Sequence, residues 1–257
     1  MVKNIRLNII PLMFLLIPVI LVSCNQSTES KDSNDRDSIT PLAGLRHGIL
    51  QSPINILSKK TIHGKHKVLL HFNDEINKIE NLGHTVQLDF APGSTIEKDG
   101  KVYEFEQIHF HTPSEHHIDG ITYPMEMHVV NTIHKNEKAE ETQYLVLAIL
   151  FKMGDANAFI QEFLDLIPKE PESKKEVPTG IIRMSDLMET APENELRECY
   201  HYSGSLTTPP YTQSVNWFIS KHIYEASEDQ IQKIRRIEGN NARHIQARYG
   251  RVVVDNE

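Results

Sequence analysis

Apolar and polar residues alternate with period two in four segments: residues 85–90 (TVQLDF), 102–111 (VYEFEQIHFH), 126–132 (EMHVVNT) and 144–151 (YLVLAILF). Such alternation sends successive side chains to opposite faces and predicts strands. Asn81-Leu82-Gly83-His84 and Lys98-Asp99-Gly100 supply turn chemistry between them. Two stretches change to a helical period. Phe159, Phe163 and Ile167 fall on one face, with Asp155 as the expected cap and Pro168 as the stop. Ser227 followed by Gln230 predicts a capping box and a helix to about Glu238. Strands outnumber helices, and no crossover helices separate them. The pattern predicts a mainly β (α+β) single domain with a mostly antiparallel sheet and a few helices. From Pro41 onward there is no internal repeat and no second linker, and residues 169–178 (KEPESKKEVP) read as a surface loop.

Composition narrows the function classes. The chain has 257 residues, 27 Lys and Arg against 35 Asp and Glu, and a formal charge of −8. Acidity without a long basic run argues against nucleic acid as a partner, because phosphate binding needs clustered cations. With 39% hydrophobic residues the chain is not wholly disordered, and two cysteines make neither a disulfide scaffold nor a four-thiolate zinc site. Fourteen histidines are the unusual feature.

The N-terminus reads as an address. Lys3 and Arg6 precede an apolar stretch over residues 7–22, broken only by Asn8, Pro11 and Pro18. This is the layout of an export signal. A retained membrane anchor is the other reading, but a spanning helix needs about 20 apolar residues and this run is shorter. Leu21-Val22-Ser23-Cys24 resembles the lipobox of bacterial lipoproteins, in which the chain is cut before the cysteine and that residue is acylated; an ordinary cleavage site containing Cys24 is the alternative. The expected organisation is a signal peptide over residues 1–23, a polar, flexible tether over residues 24–40 beginning at a lipidated Cys24, and a single folded domain over residues 41–257. The expected location is the periplasm or cell surface, on a membrane anchor.

His109 and His111 stand two apart on one expected strand, so both rings leave the same face. Glu126, His128 and Val130 share a face of another. Were the strands neighbours, three imidazoles would converge, and three neutral nitrogens with an open fourth position make a catalytic zinc site. Alone, an H-x-H pair is more often solvated or packed. Gln107 shares the face of His109 and Glu126 that of His128, each placed to hydrogen-bond a non-ligating ring nitrogen.

These segments also resemble a known family. Gln51-Ser52-Pro53-Ile54-Asn55-Ile56, Asn81-Leu82-Gly83-His84, the run from Gln107 to His116 (QIHFHTPSEH) and Glu126-Met127-His128-Val129-Val130 are similar to the α-class carbonic anhydrases. So are Tyr202-Ser203-Gly204-Ser205-Leu206-Thr207-Thr208-Pro209-Pro210, Trp217 and Asn241-Ala242-Arg243, all in the family's order. The resemblance implies a single domain around a large twisted sheet. It further implies one Zn2+ per chain on His109, His111 and His128, whose hydroxide attacks CO2 to give bicarbonate and a proton. By the same likeness Thr207 and Glu115 orient that hydroxide, and His84 shuttles the proton. Val130, Val146, Leu206 and Trp217 would wall the CO2 pocket, and Thr208 would stand near bicarbonate.

Two departures qualify the likeness. The aromatic-rich segment that usually precedes the Gln51 motif is missing, and no Trp precedes Trp217. Leu50 and Tyr211 occupy positions where many exported members carry a linked cysteine pair, leaving Cys199 as an expected buried free thiol. Two other functions fit the fold: a binding module that has lost its chemistry, and a zinc-scavenging lipoprotein. The first should have lost a ligand, and none of the three is missing; the second predicts several labile zinc ions per chain.

Overall fold

A computed structural model describes residues 48–73, 76–133, 142–188 and 195–256; the expected signal peptide, tether and Cys24 lie outside them, as do His47 and His134. In chain order the strands are β1 (Asn55–Ile56), β2 (Ile62–Gly64), β3 (Val68–His71), β4 (Ile76–Asn81), β5 (Val86–Phe90), β6 (Thr95–Lys98), β7 (Lys101–His111) and β8 (His117–Ile118). There follow β9 (Ile121–Thr122), β10 (Met125–Ile133), β11 (Gln143–Met153), β12 (Ser173–Glu176), β13 (Cys199–Gly204), β14 (Val215–Ser220), β15 (Tyr224–Ala226) and β16 (Val254–Asn256). Helix α1 (Ala158–Leu164) follows β11 and α2 (Glu228–Glu238) follows β15.

Thirteen strands form one sheet whose main path runs β12-β4-β5-β7-β10-β11-β14-β13-β16-β2. Most pairs are antiparallel, and β11 pairs in parallel with both β14 and β15, as β16 does with β2. Strands β1, β8 and β9 make a small separate sheet.

Alternation divides the long central strands between two apolar clusters. On β10, Met125, Met127 and Val129 enter the larger cluster, while Val130 joins a smaller one on the other face. On β11, Leu145, Leu147 and Ile149 enter the larger cluster, and Val146, Ala148 and Leu150 the smaller. Being covered on both faces explains why residues 144–151 are almost continuously apolar.

Two local expectations are corrected. Helix α1 is capped by Asn157, whose side chain accepts from Ile160 N at 3.2 Å, and not by Asp155. It ends at Leu164, before Ile167. Within the expected loop at residues 169–178, Ser173–Glu176 forms β12, an edge strand paired with β4. Its lysines and glutamate are exposed, which is how a sheet edge carries charge and why it looks like a loop in sequence. Helix α2 starts at the Ser227 capping box and ends at Glu238.

Candidate metal centre

The centre is made by register. In the β7–β10 ladder His128 is the direct partner of His109, Glu126 of His111, and Val130 of Gln107. The ring centroids of His109, His111 and His128 lie 4.6–5.1 Å apart. Each offers one nitrogen to a set whose members all lie within 4.8 Å of one another. His128 Nδ1 stands 3.3 Å from His109 Nε2. Both ring nitrogens of His111 are buried without a hydrogen-bond partner. Burial, then repulsion from His111 and His128, pushes His109 well below the usual imidazole range; burial brings His111 down to about 4 against the pull of Glu115. Mutually close, with His111 and His128 buried and His109 partly so, these imidazoles are a donor set that fits a divalent cation.

The outward nitrogens of His109 and His128 are held. Gln107 Oε1 lies 3.0 Å from His109 Nδ1, and Glu126 Oε1 lies 2.7 Å from His128 Nε2. Glu126, with no exposed surface, also accepts from Glu115 N, His116 N and His116 Nδ1 at 2.7–2.8 Å. His116 Nε2 in turn stands 2.7 Å from Tyr202 Oη, which is 2.9 Å from Ser52 Oγ. Ser205 N donates to Ser52 Oγ at 3.1 Å, and Trp217 Nε1 donates to Ser205 O at 3.0 Å. A Cβ built at Gly204 would collide with Ser52 Oγ, so glycine lets the two segments meet. His116, Glu126 and His128 also converge, but that group is this hydrogen-bonded support and shares His128 with the first.

The remaining residues surround this frame. Val130, Val146 and Trp217 are buried in the smaller apolar cluster, and Leu206 packs against it. The Trp217 ring lies 4.9 Å from that of His128. Thr207 is buried, and Thr208 is exposed at a turn closed by Tyr211 N donating to Thr208 O at 2.9 Å. Glu115 Oε1 accepts from Arg243 N at 2.9 Å, whereas its Oε2 is buried with no hydrogen-bond partner, so no bond joins it to Thr207. His84 is exposed after the Gly83 turn, where a φ of +77° favours glycine. Its Nδ1 lies 2.9 Å from Leu82 O, and its charge contributes to lowering His109.

His116, Tyr202, Ser52 and Asn241 all stand in segments that resemble the family, but spacing alone gives none of them this supporting role. The Asn241 side chain donates to His84 O and Phe110 O, both at 3.0 Å, and accepts from Thr112 N. Its place in the Asn241-Ala242-Arg243 motif was the available signal. A cavity of about 750 Å³ lined by Phe159, Leu196, Lys221 and His222, among others, shares no residue with the centre.

Fold and site together define a class: a mixed-sheet domain that gathers three imidazoles, two of them held by hydrogen bonds from behind, beside an apolar wall. Residues 41–257 match the family model for eukaryotic-type carbonic anhydrase. A carbonic anhydrase of Pectobacterium carotovorum is 34% identical over 206 residues, 79% of each chain, and one of Neisseria gonorrhoeae is 32% identical over 209 residues, 80% of this chain and 77% of the other. The solved α-carbonic anhydrase of Thermovibrio ammonificans, a complex with sulfanilamide, superposes with a TM-score of 0.71 at 33% identity, covering 80% of this chain and 86% of that one. The chain belongs to the carbonic anhydrase family, and it is an enzyme acting on carbon dioxide and bicarbonate.

Proposed function

We propose that His109, His111 and His128 hold one zinc ion, that CO2 is hydrated beside it, and that His84 carries the released proton to solvent. The observation that carries this reading is the meeting of three imidazole nitrogens within 4.8 Å of one another, with both ring nitrogens of His111 left without a hydrogen bond. Bound zinc would supply Lewis acidity that makes water a nucleophile near neutral pH, an effect for which carbonic anhydrase is the standard illustration.

The chain's own residues do the rest. Gln107 and Glu126 fix the tautomers of His109 and His128, so that each presents its inner nitrogen. Glu115 Oε2, buried without a partner, is the acceptor open to the Thr207 hydroxyl when the site is filled, and the pair would then orient the nucleophile. Val130, Val146, Leu206 and Trp217 give uncharged, linear CO2 an apolar wall. Thr208, at the exposed end, meets bicarbonate on its way out. With Nδ1–H of His84 held by Leu82 O, its Nε2 takes the proton and releases it.

The setting belongs to the same proposal: export, cleavage before Cys24 and a lipid anchor on that residue. No helix among the described residues is long and apolar enough to cross a membrane. The test measures zinc per chain and CO2 hydration. Stoichiometric zinc with hydration is expected, lost in His128→Ala and slowed but rescued by small buffers in His84→Ala. Stoichiometric zinc without hydration would refute the catalytic claim, and failure of labelled palmitate to mark Cys24 would refute the anchor.

A further inference from the structure

The longest stretch of the chain without a carboxylate is residues 38–73. It holds Arg46, Lys59, Lys60, Lys65, Lys67 and four histidines in a chain whose formal charge is −8. Folding adds the turn between β6 and β7 to this basic segment. Asp99 N donates to Lys67 O at 3.0 Å, and Lys67 N donates to Asp99 Oδ1 at 3.1 Å. The same carboxylate is taken up by Lys98 Nζ at 2.8 Å and by His66 Nδ1 at 3.0 Å. Lys59, Lys60, Lys65, Lys67 and Lys101 remain exposed, and none forms an ion pair with a described residue. Ile62 and Val102, apolar and 55% and 52% exposed, lie on strands at this surface. Exposed lysines interspersed with exposed apolar side chains are the composition of a surface that meets charged lipid headgroups.

The chain enters the domain beside this surface. Leu50, Lys98 and Lys101 line one cleft of about 510 Å³, and the described backbone begins two residues before Leu50. An anchor upstream of Leu50 would keep the lysines at high effective concentration near a bilayer. Along β7, His109 is eight residues from Lys101, on the order of 27 Å away, so contact at the lysine end leaves the metal centre clear of the bilayer.

We propose that the surface formed by residues 59–67 and the 98–101 turn docks on an anionic phospholipid bilayer and holds the domain with its metal centre turned toward solvent. The setting rests on the anchor reading above, but the contact is tested without the acyl group. The described residues contain both apolar clusters, and the family model starts at residue 41, so a chain of residues 25–257 retains the whole fold. At low salt this chain is expected to co-sediment with phosphatidylcholine vesicles containing phosphatidylglycerol at least about ten-fold more tightly than with phosphatidylcholine alone, and to be released by added salt. The triple substitution Lys65→Glu, Lys67→Glu, Lys101→Glu should abolish that preference while CO2 hydration stays unchanged. Equal binding to both vesicles, retention in the triple variant, or capture by an acidic polysaccharide with none by the vesicles would overturn the proposal. Absence of acylation at Cys24 would strike the anchor reading alone.

Discussion

Two buried glutamates show how surroundings decide a carboxyl's state. Burial drives the Glu126 carboxyl upward, but the His116 and His128 imidazoles, with the hydrogen bonds they donate, hold it well below the usual range. Glu126→Gln removes the charge at His128 and should weaken zinc binding about 10- to 100-fold in chelator competition. Glu238 is the opposite case. It ends α2, where the helix carbonyls disfavour a negative charge, and neither carboxyl oxygen has a well-formed hydrogen bond. Burial pushes it up to about 8, with only partial relief from Thr112, the Val86 amide and Thr85. The folded chain therefore keeps a proton that the unfolded chain releases above its ordinary value of 4.5. Stability should fall as pH rises through that window and level off above about 8. Between about pH 6 and pH 9 the loss is on the order of 2–3 kcal/mol, read as a falling Tm of the zinc-loaded protein. Glu238→Gln should remove this component; parallel curves for variant and wild type would show that Glu238 is already ionised. At this scale Glu126 was legible, because parity places it beside His128. Its partners were not: His116 and Tyr202 are 86 residues apart, and Tyr202 and Ser52 are 150 apart. Only the folded sheet brings them together.

At the level of elements, the centre depends on two strands with different regularity. Strand β10 alternates strictly, sending Met127 to the larger core and His128 to the metal face. Strand β7 does not. A register shift opposite Val130 and Asn131 places Gln107 against Val130 and Phe105 against Asn131. Simple alternation would put Tyr103 and Phe105 on the histidine face, yet both lie in the larger cluster with Ile108 and Phe110. One extra residue on β7 thus reverses parity, burying aromatic residues at one end and presenting imidazoles at the other. In the residue pattern only the adjacent polar pair Glu106-Gln107, between apolar positions 103 and 105 and positions 108 and 110, marks that bulge, and nothing distinguishes the charged edge strand β12 from a loop. The β10 alternation leads to a paired experiment. Met127→Ala should destabilise the domain by about 2–5 kcal/mol in denaturant unfolding, while the folded fraction keeps stoichiometric zinc and its hydration rate per molecule. His128→Ala should abolish zinc retention and hydration with a smaller cost to the metal-free fold. If Met127→Ala lost zinc as fully as His128→Ala, the two faces of β10 would not be separable.

Over the whole molecule, cohesion comes from burial on both sides of the sheet. The larger cluster packs α1 and α2 against the strands through Phe159, Phe163, Ile231 and Ile234, and the smaller forms around Trp217, Tyr202 and Ile54. Three segments distant in sequence are fastened to one another: Arg251 donates to Gln51 O and Ser203 O, and Arg243 donates to Ser52 O. No disulfide contributes among the described residues, since Cys199 is a free thiol with no exposed surface. Burial pushes that thiol up to about 12, so near neutral pH it is protonated as well as enclosed, and both conditions suppress exchange and alkylation. A domain organised this way should be indifferent to reductant. Dithiothreitol is expected to leave Tm unchanged, and iodoacetamide to label Cys199 only when denaturant has opened the larger core, with labelling following the unfolding curve. Labelling of the native protein at the rate of a free thiol would mean that β13 and β16, which enclose Cys199 at the register Cys199–Asn256, separate without global unfolding. A reductant-dependent drop in Tm would instead mean that Cys199 joins two chains, which requires that same strand pair to open first.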